Sequence, residues 1–188
     1  MSFINGDRYE GDFKDNKFEG KGIYYYKDGR KYDGDWKNDK KEGKGIMLFK
    51  NGDKYEGDWK NDKKEGQGKF YSSKGGIYEG EYKNDFGEGK GKFFWNNGDR
   101  YEGDFKNGIR EGKGVMYFNN GNRYEGDFKN DKREGKGIFY WNEGDRYEGE
   151  FKNDQIEGLG TLYFQNRMIK KCRWKNGNLI ENSENLFG

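Results

Sequence analysis

Tyr9, Tyr32, Tyr55, Tyr78, Tyr101, Tyr124 and Tyr147 stand 23 residues apart, with no insertion or deletion between them. A fixed period of this length means an array of one small supersecondary unit, too small to bury its own apolar face and dependent on its neighbours to do so. With each tyrosine as position 1, glycine fills position 3 in all seven units, from Gly11 to Gly149, and an aromatic fills position 5. Positions 12 and 14 are glycine throughout, from Gly20 and Gly22 to Gly158 and Gly160. The period divides the chain into a partial unit at 1–8, seven full units over 9–169, and a degraded eighth unit with a C-terminal cap or tail over 170–188.

Each unit reads as a hairpin. In RYEGDFK the Tyr, Gly and Phe fall on one face of a strand and the Glu and Asp on the other, because strand side chains alternate. The second segment, such as GKGIFYW at 135–141, is rich in β-branched and aromatic residues and has no helical stripe. Asn51-Gly52, Asn97-Gly98, Asn120-Gly121 and Asp28-Gly29 lie between units and suit the positive φ angles of a tight two-residue turn. The expected fold is all-β, an elongated single-layer antiparallel meander of repeated hairpins. About fourteen strands would form a solenoid-like ribbon ~70 Å long at the usual strand separation. The segment SSKGGI lacks the aromatic and the Asn-Gly of the other units and predicts a local bend, and QNRMIKKCRW reads as a terminal cap.

Only 29% of the residues are hydrophobic and 38% are charged, a profile close to that of disordered chains. Against disorder, 37 basic residues offset 35 acidic ones, and 15 Tyr, 15 Phe and 5 Trp carry the apolar surface. No proline interrupts a hydrogen-bond ladder. Stacked hairpins would shield the rings, with positions 1 and 5 beside positions 16 and 18, such as Phe139 and Trp141. The glycines would leave room for rings to lie flat on the backbone. On the opposite face Glu125 and Asp127 are expected to meet Lys129 and Lys136, and likewise in the other units.

The Tyr-x-Gly-x-aromatic segment, the Gly-x-Gly and the Asn-Gly-type turn at this spacing resemble the MORN repeat, over residues 9–168 and more weakly at both ends. The resemblance implies a curled single-layer sheet with no catalytic centre and no cofactor. It implies a scaffold, sometimes dimeric, at cytoskeletal structures, cilia or membrane junctions, or a regulatory part of a phosphoinositide kinase. The sequence departs from the family pattern at position 8, where Asp usually replaces Gly, and at position 11, where Glu stands in place of His from Glu19 to Glu157.

The residue inventory argues against an enzyme: no histidine, one cysteine (Cys172) in a degraded unit, four serines and one threonine. The GKG steps lack the Ser or Thr of a phosphate loop. Acidic residues at positions 2 and 4, with Asp7, Asp53, Asp99 and Asp145 nearby, raise calcium as a ligand, but interleaved lysines favour ion pairs, so no metal is expected. A net charge of +2 gives no broad positive field for nucleic acid. The lone cysteine and the lack of a secretory signal or an apolar span point to a cytoplasmic protein at the cytoskeleton, cilium or membrane periphery.

Two binding readings remain. In the favoured one, a protein partner, as a peptide or helix, lies along a groove lined by Tyr9, Phe13, Tyr32, Trp36, Tyr55, Trp59, Tyr78, Tyr82, Trp95, Tyr101, Phe105, Tyr124, Phe128, Trp141, Tyr147 and Phe151. The opposing reading is that curling buries these rings as core. Phe18, Phe86, Ile109 and Ile156 break the charged pattern of the loops and are secondary contact candidates. The alternative function is binding of phosphoinositide or another anionic lipid through Lys40, Lys41, Lys63, Lys64, Lys132 and Arg133. Open sheet edges at the two ends would allow a homodimer.

Overall fold

The computed structural model describes residues 1–165 and 167–182, with the backbone alone at 167–170 and 182. The part of the expected C-terminal tail at 183–188 lies outside the described residues. All secondary structure is β. The strands are β1 (Arg8–Lys14), β2 (Lys17–Tyr25), β3 (Lys31–Lys37), β4 (Lys40–Leu48), β5 (Lys54–Lys60), β6 (Lys63–Tyr71), β7 (Ile77–Lys83) and β8 (Phe86–Phe94). They continue as β9 (Arg100–Lys106), β10 (Ile109–Tyr117), β11 (Arg123–Lys129), β12 (Lys132–Tyr140), β13 (Arg146–Lys152), β14 (Gln155–Phe164), β15 (Arg167–Lys175) and β16 (Asn178–Asn182). These sixteen strands form one antiparallel sheet in sequence order, the meander that the period implies. Contacts divide the chain into two units, 1–95 and 96–188.

Within each unit one register repeats. In the first, Gly11 faces Gly22, Gly22 faces Gly34, and the pairing runs on through Gly45, Gly57, Gly68, Gly80 and Gly91. In the second, Gly103, Gly114, Gly126, Gly137, Gly149 and Gly160 pair in the same way, and Cys172 closes the row. A row of glycines thus crosses the strands of each unit, and it follows directly from the 23-residue period.

The turns differ from expectation. The tight two-residue turns lie inside the repeats, at positions 7 and 8. Lys37 pairs with Lys40 and Lys60 with Lys63, and Asn38, Asp39, Asn61 and Asp62 all have φ between 48° and 68°. Asn and Asp tolerate this left-handed conformation better than other non-glycine residues. The Asn-Gly dipeptides between repeats instead belong to longer turns. Gly52 N–H donates to the Phe49 carbonyl, Phe49 N–H to the Asp53 carbonyl, and only the glycine is left-handed. SSKGGI departs from the other turns in having two glycines at positive φ, Gly75 at 86° and Gly76 at 115°. It keeps the same pair of bonds, with Gly75 N–H donating to the Ser72 carbonyl and Ser72 N–H to the Gly76 carbonyl, so the aromatic is not required for the turn. At the C-terminal end, only two residues separate β14 from β15.

Candidate functional site

The position-1 tyrosine defines one face. Its ring lies along its own hairpin across the glycine row: a Cβ built on Gly45 would sit 2.3 Å from Tyr32 Oη, and one on Gly68 2.3 Å from Tyr55 Oη. The hydroxyl then donates to the carbonyl at position 4, as Tyr32 does to Asp35 at 3.0 Å and Tyr55 to Asp58 at 2.9 Å. Position-5 rings stand edge-on to the tyrosine of their own repeat and to that of the preceding one. Trp59 is 5.2 Å from Tyr55 and 5.3 Å from Tyr32, and Phe151 is 5.6 Å from Tyr147 and 4.8 Å from Tyr124. Trp36 and Trp59 also donate their indole N–H to the Gly22 and Gly45 carbonyls.

Thirteen of the sixteen rings expected to line a groove are 0–7% exposed; Trp95 and Trp141 are half-buried, and Phe13 alone is open, at 46%. These rings are the core of each repeat interface. Burial raises the phenol pKa values, for Tyr9 and Tyr147 to about 12. Of the four pattern-breaking residues, Phe18 stacks on Tyr9 at 3.9 Å, Ile109 and Ile156 are half-buried, and Phe86 is 54% exposed.

The carboxylates of the loops and turns hold one repeat to the next. Glu42 at position 11 accepts the Asn61 N–H at 2.9 Å, and Glu19, Glu65, Glu111, Glu134 and Glu157 make the same bond one repeat on. Asp62 at position 8 accepts the Lys41 N–H of the preceding repeat, also at 2.9 Å. At the other ends of the strands, Asp53 accepts the Ser73 N–H and hydroxyl, at 2.7 and 3.0 Å, which with the Asn51 side chain hold its pKa below the usual range. Of the residues raised from sequence as a calcium ladder, Asp7, Asp53, Asp99, Asp145 and the position-4 acids Asp35 and Asp58 accept backbone N–H groups, while the position-2 acids Glu10, Glu56 and Glu79 pair with basic side chains. Among the described residues no cluster of three or more His, Cys, Asp or Glu is placed to hold a metal.

The six cations named for lipid binding divide into two kinds. Lys41, Lys64 and Arg133 turn inward over the aromatic face: Lys41 Nζ is 4.9 Å from the Trp59 ring, and Arg133 is 5.7 Å from Tyr124. Burial lowers the pKa values of Lys41 and Lys64. Lys40, Lys63 and Lys132 stay at the turns and donate to Asn61, Asn84 and Asn153.

The opposite face is the one that remains accessible. Here position 17, a ring in every repeat but the second (Leu48), and the residue before each tyrosine, a cation everywhere but at Ile77, form a row, with Arg8 over Tyr25 at 4.1 Å, Arg100 over Tyr117 at 4.3 Å and Arg146 over Tyr163 at 3.9 Å. Beside this row, in the first unit, a trough crosses the strands. Its floor is the backbone of Gly34, Gly45, Gly57 and Gly68, which carry no side chain on either face. Lys21, Lys44 and Gln67 line it on one side, and Ile46, Lys69, Tyr71 and the acids Asp33, Glu56 and Glu79 on the other. The walls are already paired in part, Lys21 with Asp35 at 2.5 Å, Lys44 with Asp58, and Lys69 with Glu79 at 3.4 Å. Asp127, expected opposite the Lys136 ammonium, bonds the Lys136 N–H at 3.2 Å and pairs with Lys113 at 2.5 Å, while Glu125 meets Arg123.

A single-layer sheet of identical hairpins, with one face closed by its own rings and the other open, is the architecture of a β-repeat scaffold. The MORN repeat family model matches residues 9–29, 32–54, 55–77, 78–100, 101–123, 124–146 and 147–168, and the chain belongs to that family. No curated protein matches the sequence. Among solved structures, the chain is similar to the TCP domain of Drosophila melanogaster SAS-4 in complex with a proline-rich motif of Ana2. The identity is 17%, with 83% of this chain and 82% of that one covered and a TM-score of 0.51. It is also similar to an E1021V mutant of the TCP10 domain of Danio rerio CPAP, at 14% identity, 93% and 98% coverage and a TM-score of 0.50. At these identities the likeness is one of fold.

Proposed function

We propose that this protein is a noncatalytic scaffold that binds an extended, proline-rich protein segment along its open face, within a cytoskeletal assembly. The observation that carries the proposal is the partition of the two faces. Rings at positions 1 and 5 are consumed by packing, whereas in the trough Ile46, Tyr71, Gly57 and Gly68 stay half-buried beside the buried backbone of Gly34 and Gly45. A ligand lying across the strands meets equivalent positions of the repeat every second strand, about 9.6 Å apart. A polyproline II helix presents the same side of itself every three residues, about 9.3 Å. The two periods agree within a few per cent, so such a ligand stays in phase over several repeats. It needs no free sheet edge and brings little conformational entropy to lose. The proline-rich motif bound to the SAS-4 domain, which has a similar fold, supports the same class of ligand, and membership of the repeat family motivates the cytoskeletal reading.

The test is a titration of the full chain with a synthetic peptide carrying proline at every third position. Saturable binding that weakens about tenfold in Tyr71→Ala, with an unchanged melting curve, is the expected result. Absence of binding at millimolar peptide, or binding indifferent to both Tyr71→Ala and Ile46→Ser, contradicts the proposal.

A further inference from the structure

A periodic trough and a periodic ligand can match in spacing and still have no register, because a shift by one repeat returns the ligand to equivalent positions. In the first unit the repetition breaks at one strand. β3, β5 and β7 each turn two acids to the open face. Asp33 pairs with Lys31 at 3.5 Å, Asp35 with Lys21 at 2.5 Å, Glu56 with Lys54 at 2.8 Å, Asp58 with Lys44, and Glu79 with Lys69 at 3.4 Å. The remaining acid is Glu81 on β7. Asp35 and Asp58 stand opposite Lys21 and Lys44, whereas Glu81 stands opposite Gln67. Among the described residues Glu81 accepts the Lys90 N–H at 3.2 Å and pairs with no cationic side chain.

The same strand interrupts the row of cations beside the trough. Ile77 stands where Lys31 and Lys54 stand in the two preceding repeats, between Tyr71 of β6 and Phe94 of β8. All three are half-buried. An apolar patch therefore begins at Tyr71, in the trough wall, and continues across β7. Glu81 lies four residues further along that strand, ~13 Å away at the usual rise per residue. On its open face β7 thus carries an apolar group at one end and an unpaired carboxylate at the other, with the paired Glu79 between them.

We infer, on the basis of the reading of the trough given above, that β7 sets the register of the ligand: the proline-rich segment carries one basic residue that pairs with Glu81 and one apolar residue that packs on Tyr71 and Ile77. A polyproline II helix has three residues per turn. With its prolines on the glycine floor, the other two residues of each turn point to the two walls, so the basic and the apolar residue flank one proline. One repeat earlier the same ligand would set its basic residue against Asp58, already held by Lys44, and its apolar residue against Lys54. Displacement by one repeat therefore loses both contacts. An acidic residue in the basic position would face Glu79 and Glu81 and be repelled.

The probes are two capped peptides with proline at every third position and leucine before the central proline, one with arginine and one with alanine after it, titrated against the full chain at physiological salt. The arginine peptide should bind about threefold more tightly, on the scale of an exposed ion pair. The ratio of the two affinities should fall to about one in Glu81→Gln and in Gln67→Lys, which supplies the missing ammonium. A nitroxide at one end of the arginine peptide should broaden the amide signals of a single repeat around β7, and on the alanine peptide those of several repeats. Equal affinities for the native chain, a ratio that survives both substitutions, or broadening spread evenly over the repeats by the arginine peptide overturns the inference and leaves the scaffold reading standing. Absence of binding by either peptide overturns both.

Discussion

Gly45→Ala isolates the contact on which the repeat packing rests. The backbone at Gly45 is not left-handed, so alanine there is conformationally permitted and would gain about 0.5–1 kcal/mol from reduced chain entropy. Sterically it is not permitted. The new Cβ would lie 2.3 Å from Tyr32 Oη and 2.5 Å from its Cζ, against about 3.5–4.0 Å for an unstrained contact, so the ring must shift by about 1 Å. Tyr32 is fully buried and held between Trp36 at 5.1 Å and Trp59 at 5.3 Å. Overpacking costs about 1–3 kcal/mol. Displacing the phenol from the Asp35 carbonyl adds about 0.5–1.5 kcal/mol. The net expectation is a loss of about 2–3 kcal/mol, measured by urea unfolding followed by tryptophan fluorescence. In a Tyr32→Leu background the same substitution should cost almost nothing, giving a coupling energy of about 2 kcal/mol. A neutral or stabilising Gly45→Ala, or an equal cost in both backgrounds, would refute the argument that the glycines exist to seat the rings.

Other expectations follow from the same geometry. Buried tyrosines whose folded pKa lies above the unfolded value of about 10 stabilise the fold fully below pH 10, and that stability drains away as pH rises toward 12. Circular dichroism should therefore be lost in the same pH window in which the 295 nm tyrosinate band of the buried rings appears; tyrosinate formation from those rings in an intact fold would contradict this. Glu42→Ala removes the bond to the Asn61 N–H and should cost about 0.5–1 kcal/mol, since the freed group can bond water. A change of several kcal/mol in the urea midpoint would mean that the edge bonds matter more than the rings. Lys41, Lys64 and Arg133 point into the aromatic face, so the chain should remain in the supernatant with anionic vesicles at physiological salt. Flotation abolished by Lys40→Glu and Lys63→Glu together would revive the lipid reading.

Much of the fold was legible because the period carries it. The spacing from Tyr9 to Tyr147 gave the strand order, and the alternation in RYEGDFK placed the rings and acids on opposite faces. The turns were not legible, because Asn-Gly is the familiar hairpin signal, whereas Asn38-Asp39 takes the left-handed conformation without glycine and leaves Gly52 to a longer turn. The role of Glu at position 11 was not readable, since its partner is a backbone N–H 19 residues away that has no side-chain signature. In the sequence the rings are the obvious candidates for a binding surface. Aromatic content does not distinguish a ring used in packing from one available to a ligand; that depends on the glycine row, which draws Tyr32 onto one face and leaves the other face with Tyr71 and a bare floor.

Nitration of the native protein with tetranitromethane, mapped residue by residue by mass spectrometry, examines this division of the two faces without altering the chain. Tyr25, Tyr71, Tyr117 and Tyr140 should be modified while Tyr32, Tyr55, Tyr101 and Tyr124 stay intact until the protein unfolds. Equal labelling of both sets in the folded state would show that the position-1 rings are open to solvent and that the binding face has been placed on the wrong side of the sheet.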